Sequence, residues 1–73
     1  MYSIRDRHTG EEHYGESWDE IAKRVWGPKA RVQVGEAVGG EGSGVRMGMI
    51  VEKESKAHGE NAFSVIDTVV LYK

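Results

Sequence analysis

The segment Ser17 to Pro28, SWDEIAKRVWGP, constrains the fold more than any other part of this chain, because it carries start, periodicity and stop signals for one short amphipathic helix. Ser17 followed by Glu20 forms a capping box, in which the serine hydroxyl accepts from a first-turn amide and the glutamate reaches back. Trp18, Ile21, Ala22, Val25 and Trp26 fall at i, i+3, i+4, i+7 and i+8 and gather on one arc, leaving Asp19, Glu20, Lys23 and Arg24 opposite. Asp19 with Lys23, and Glu20 with Arg24, are i,i+4 pairs with the acid first. Gly27 suits a left-handed close, and Pro28 cannot continue the helix. The reading is a helix over Ser17 to Trp26 with Trp18, Ile21, Val25 and Trp26 toward the core.

Around this helix the pattern changes to period two. Tyr2 and Ile4 alternate with Ser3 and Arg5, Asp6 to Gly10 has turn composition, and Glu11 to Tyr14 reads as a short returning strand. Ala30, Val32 and Val34 alternate with charged and polar neighbours, and a bulge beside Gly35 restores the pattern after Glu36. Val38 to Gly44 is a glycine-rich, flexible hairpin loop, followed by an alternating strand through Val45, Met47, Met49 and Val51. Lys53 to Asn61 is a charged connection. Ala62 to Lys73 is rich in β-branched and aromatic residues and is the most strand-prone stretch. A faint echo links YSIRD at Tyr2 to Asp6 with FSVID at Phe63 to Asp67, too short to establish a repeat.

The expected architecture is one α+β two-layer domain over residues 1–73, with a single helix on one face of an antiparallel sheet of three to five strands. The element order is β(β)αβββ. A chain of this length buries one small core and has no room for a second domain. The sequence contains no cysteine, which rules out a disulfide framework or thiolate metal site and is compatible with a reducing cytoplasm. No apolar run approaches the ~18 residues of a membrane span. The polar N-terminus has no signal-like apolar region, so the expected location is the cytoplasm of a prokaryotic host, away from membranes.

Candidate chemistry is sparse. The glycine loop matches no nucleotide-binding register and joins two strands instead of opening a helix. His8, Glu11, Glu12 and His13 are metal-ligand residue types, but a fourth donor would have to come from distant His58, and the spacing reads as solvated turn residues. No nucleophile setting surrounds the serines, and the paired acids look like solvated faces. The expectation is a non-enzymatic chain with no catalytic residue, no cofactor and no metal. Lys23, Arg24, Lys29 and Arg31 bracket the helix C-terminus and are the residues for an alternative reading as a nucleic-acid-binding accessory protein. A formal net charge of −2 argues against a broad grip on nucleic acid.

The last strand points to a surface. One helix covers one face of a sheet, so if Phe63, Val65, Val69 and Leu71 pack under it with Val32, Val34, Met47, Met49 and Val51, then Ile50, Ile66, Val70 and Tyr72 point away. Apolar residues gathered there suggest a binding surface for another protein or for a second copy in a homodimer. The competing account makes the strand central and shields its second face with loops such as Lys53 to Asn61. In size and general character the chain resembles the compact inhibitors and accessory proteins of phages and mobile elements, anti-CRISPR proteins among them. No motif carries that likeness, and no residue roles are transferred from it.

Overall fold

The computed structural model describes residues 1–40, 42–53 and 63–73. These residues form five strands, β1 (Tyr2–Asp6), β2 (Glu12–Gly15), β3 (Ala30–Ala37), β4 (Val45–Lys53) and β5 (Phe63–Tyr72), and one helix, α1 (Trp18–Trp26), packed on one face of the sheet. The strands form one antiparallel sheet in the order β2-β1-β5-β4-β3, so the fold is the expected α+β domain with the short returning strand as an edge. The C-terminal strand is central, between β1 and β4. The charged connection expected over Lys53 to Asn61, with His58 in it, falls outside the described residues after Lys53.

The helix begins and ends where its signals lie. Ser17 is extended, and its Oγ accepts from the Glu20 amide at 3.2 Å. The Glu20 carboxylate lies 3.8 Å from Arg24. At the other end the Gly27 amide donates to the Lys23 carbonyl at 3.2 Å. Gly27 sits at φ 120 and ψ 165, an extended positive-φ conformation in place of the left-handed helical close.

Two of the hairpins, β1-β2 and β3-β4, are closed by side chains. Asp6 Oδ1 accepts from the amides of His8 (2.8 Å) and Thr9 (3.4 Å), which turns the chain from β1 into β2. In the glycine loop Ser43 Oγ donates to the Val38 carbonyl at 2.6 Å and accepts from the Val45 amide at 3.2 Å. The loop is thus pinned across its base, while Gly39, Gly40, Gly42 and Gly44 supply its positive φ angles. The bulge expected at Gly35 is present as a register shift between Val34 and Ala37.

Residues opposite one another in an antiparallel ladder share a face, so the register assigns every strand position. The face under α1 carries Ile4, Val69, Leu71, Gly48, Ile50 and Ala30, which bury completely or nearly so with Ile21 and Ala22. Two strands therefore differ from the sequence reading. In β4 the buried positions are Gly48, Ile50 and Val51; Met47 and Met49 are half-buried on the far side, where the register also places Val51, only 4% exposed. Gly48 shows the cause: a Cβ there would stand 2.6 Å from Leu71 Cδ1 and 3.1 Å from the Gln33 carbonyl. The glycine gives Leu71 its room in the core, which sets the parity of the whole strand.

In β5, Val69 and Leu71 are core as expected, but Phe63 and Val65 are 50% and 55% exposed. Ile50 pairs with Asp67 and Val51 with Val65, leaving Ile66 as the extra residue of a bulge. One extra residue moves the preceding side chains to the other face. Val34 is also largely exposed, near the end of the register before the Gly35 bulge. On α1, Trp18 and Trp26 are half-buried, whereas Val25 is 37% exposed and sits at the rim instead of in the core. Trp18 Nε1 donates to the carbonyls of Ser3 (3.2 Å) and Tyr72 (3.0 Å), tying the helix start to β1 and β5.

The polar side of the helix has structural work. Asp19 Oδ1 accepts from the Val32 amide at 3.1 Å, and Lys23 Nζ donates to the Ala30 carbonyl at 3.4 Å, both on edge strand β3. Arg24 donates to the Tyr14 carbonyl on the opposite edge strand, β2. Five strands at ~4.8 Å spacing span ~19 Å, about twice the ~10 Å width of a helix. One helix that bonds both edges requires a sheet curled around it. The same bonds satisfy backbone groups that an open edge leaves free for pairing with other chains.

Candidate functional site

The convex side of the curled sheet, away from α1, gathers apolar side chains, of which Phe63 and Val65 are exposed, Val45, Met47, Met49, Val70 and Tyr72 half-buried, and Val51 buried. Its ladder rows run Val45, Tyr72, Ser3 and Tyr14; then Met47, Val70, Arg5 and Glu12; then Gln33, Met49 and Thr68; then Arg31, Val51 and Val65; and finally Lys53 and Phe63. The strip along β4 and β5 is almost wholly aliphatic, thioether or aromatic. Among the described residues no helix or strand lies over it.

The expected binding residues divide. Val70 and Tyr72 lie on this face, half-buried beside Arg5 and Ser3. Ile66 is exposed at the bulge. Ile50 is fully buried beneath the helix and is removed from the surface, for the parity reason given by Gly48. Sequence reasoning missed Met47, Met49, Val65 and Phe63 on this side because it placed them in the core.

The alternative set also separates. Lys23 and Arg24 bond backbone carbonyls at the two sheet edges, Lys29 is exposed in the turn after α1, and Arg31 shares the convex face with Val51. These four cations do not form one surface. The convex face has its own: Arg5, Arg31 and Lys53, joined by Arg7, whose amide continues the ladder to the Thr68 carbonyl at 3.1 Å. Arg5 stacks on the Tyr72 ring, 5.6 Å from its centroid. Glu12 is an acid among them, and Glu36 in the β3 bulge is another. Glu12 accepts from the Tyr14 hydroxyl at 2.6 Å, which raises the Tyr14 pKa by favouring the protonated phenol.

The group of side chains considered for metal binding is dispersed. His13 lies 3.7 Å from Glu11, Glu12 is engaged by Tyr14, and His8 turns to Asp67, with Nδ1 to Oδ1 at 3.3 Å. In its place stands a cluster the sequence reading did not single out, Asp6, His8 and Asp67, whose ligand atoms lie within 4.8 Å of one another. The two aspartates close the echoing segments YSIRD and FSVID, and that echo was the only available signal. Asp6 is buried and Asp67 has a side chain 10% exposed, while His8 is open to solvent.

Two carboxyls in contact need a positive charge between them. The hydrogen bond from Asp67 holds the Asp6 pKa below its ordinary value, aided by the His8 and Thr9 amides. Burial pushes the Asp67 pKa up, and the neighbouring Asp6 adds to the rise. Asp67 therefore keeps its proton longer and donates it to Asp6. The donors are of types that also hold divalent cations, but three fall short of zinc's usual four, and the shared proton meets the same charge. The cluster joins the end of β1 to the β5 bulge.

This pair predicts a pH dependence. Stability from Asp6, whose pKa is lowered on folding, is lost as pH falls through its folded value. Stability from Asp67, whose pKa is raised, is lost as pH rises through its folded value. The optimum lies between the two, on the acid side of neutrality. Asp67→Asn keeps a donor for Asp6 without a titrating proton. At pH 7 it should be more stable than the parent by about 1 kcal/mol, the net value of one hydrogen bond. Its melting temperature should change less than the parent's as pH rises above the ordinary aspartate range, where the parent loses the Asp67 proton. Parallel pH profiles for the two proteins would refute the shared proton.

Comparison with protein-family models, with curated proteins and with solved structures finds no match for this chain.

Proposed function

We propose that this chain is a small non-enzymatic protein-binding module that acts by occupying a partner's surface with the convex face of β4 and β5. The observation that carries this reading is the apolar strip of Val45, Met47, Met49, Phe63, Val65, Val70 and Tyr72, unshielded by any described helix or strand. Contiguous apolar surface on a small soluble domain marks an interaction site more often than chance exposure does. Tyr72 combines a large ring with a hydroxyl, and Arg5 already rests on it; both residue types are enriched among binding hot spots. An inhibitor or accessory role, in the manner of compact phage-encoded proteins, fits a module that binds without carrying out chemistry. No helix among the described residues is long and apolar enough to cross a membrane. The absence of cysteine suits the reducing cytoplasm we assign to it.

Val65→Thr with Val70→Thr tests the reading, since threonine preserves β-branching while removing apolar contact. The double variant should melt within a few degrees of the parent and lose retention of proteins captured from a native-host extract. Unchanged retention, or a collapse in melting temperature, would count against the surface. Nucleic acid is the second reading, favoured by Arg5, Arg7, Arg31 and Lys53 sharing the face. It requires salt-sensitive retention on DNA.

A further inference from the structure

We infer that the occupant of the convex face is an acidic protein surface with an apolar centre, and not a second copy of this chain; the inference rests on the protein-binding reading above. The chain as a whole carries a formal charge of −2, yet this face is basic. Arg5 and Arg7 flank the apolar strip on its β1 side, Arg31 flanks it on the β3 side, and Lys53 stands at its end. All four are exposed, and no described acid forms an ion pair with any of them. Glu12, bound by Tyr14, is an acid of this face, and Glu36 stands in the β3 bulge opposite Met47, so four cations face two carboxylates.

This arrangement selects among occupants. Two copies placed face to face would oppose one basic rim to another, a like-charge contact with few carboxylates to relieve it. A nucleic-acid strand needs cations that follow its backbone and flat rings for its bases. Here the cations of β1 and β3 stand on opposite margins, three strand spacings or ~14 Å apart, and the ground between them is mainly valine and methionine. That ground is matched by aliphatic or aromatic protein side chains, and the margins by aspartate and glutamate. The partner is thus a protein patch whose centre is apolar and whose rim is acidic, an arrangement that steers association as well as fixing orientation.

The test is an amide chemical-shift titration of the intact chain with two short synthetic peptides, one alternating leucine with glutamate and the other leucine with lysine. A thymidine oligonucleotide and the protein's own dilution series run beside them. The acidic peptide should move the amides of Met47, Met49 and Val70, bind at least ~10-fold more tightly than the lysine peptide, and weaken with salt. Arg31→Glu with Lys53→Glu, both exposed positions, should abolish that preference while the fold persists by its unchanged core resonances. Equal binding of both peptides would overturn the inferred charge and leave the protein-binding reading standing. Stronger binding of the oligonucleotide, or shifts on dilution at the same amides, would overturn it in favour of nucleic acid or a second copy. Failure of both peptides to move this face would overturn the inference together with the reading beneath it.

Discussion

Ile21→Ala should destabilise the protein by about 2–5 kcal/mol, the cost of removing a buried branched side chain and leaving a cavity. Ile21 has no exposed surface and lies at the centre of the core cluster under α1. The sheet is shaped to receive it, because a Cβ on Gly15 would stand 2.7 Å from Ile21 Cγ1. Little beyond the helix can collapse into the vacancy, since α1 is the only described element on that side of the sheet. At ~4–8 °C per kcal/mol for a domain of this size, the melting temperature should fall by at least ~8 °C. Val25→Ala should cost less than about 1 kcal/mol, because that side chain is already 37% exposed. The loss should also spread. With α1 loosened, its bonds to β2 through Tyr14 and to β3 through Val32 and Ala30 weaken together, so amide exchange should accelerate at both sheet edges before the central β5. Urea melts of the two variants, read with hydrogen exchange, check both parts. Equal losses at Ile21 and Val25 would mean that the helix is rotated from its described orientation.

The helix was legible because its signals are local. Ser17, the acidic first turn, the spacing of Ile21 and Ala22, and Gly27 before Pro28 each act within a few residues, and all agree. The strands were legible as elements for the same reason, including the bulge beside Gly35. Which face of each strand turns inward was not. In β4 the odd positions Val45, Met47, Met49 and Val51 outweigh Gly48 and Ile50 in apolar content, yet the glycine is the inward residue, since Leu71 from a strand far along the chain fills the space above it. No property of β4 alone reveals that. In β5 the residues on both sides of Ile66 look equally strand-like, and the bulge that reverses Phe63 and Val65 follows from pairing with β4.

The candidate site inherits the same division. Val70 and Tyr72 follow the parity of Val69 and Leu71, so recognising the second half of β5 as core sufficed to place them. Met47, Met49, Phe63 and Val65 required the tertiary register. The polar helix residues show a related effect: Asp19, Lys23 and Arg24 read as a solvated face by period, but the curled sheet brings its edges up to meet them. The meeting of Asp6 with Asp67 depends on the C-terminal strand inserting beside the N-terminal one, a topology that no local pattern encodes.

The parity of β4 decides what is core and what is the proposed binding surface. Ile50→Thr and Met49→Thr place the same β-branched residue at adjacent positions of one strand, so strand propensity changes little between them. Ile50 is fully buried against the helix-side core, and Thr there loses apolar contact and buries a hydroxyl. Met49 is half-buried on the convex face opposite Thr68. Urea denaturation of the two variants should show a loss of about 2–4 kcal/mol for Ile50→Thr and less than about 1 kcal/mol for Met49→Thr. A larger loss at Met49 than at Ile50 would contradict the account, turning the proposed binding face into the core of the molecule.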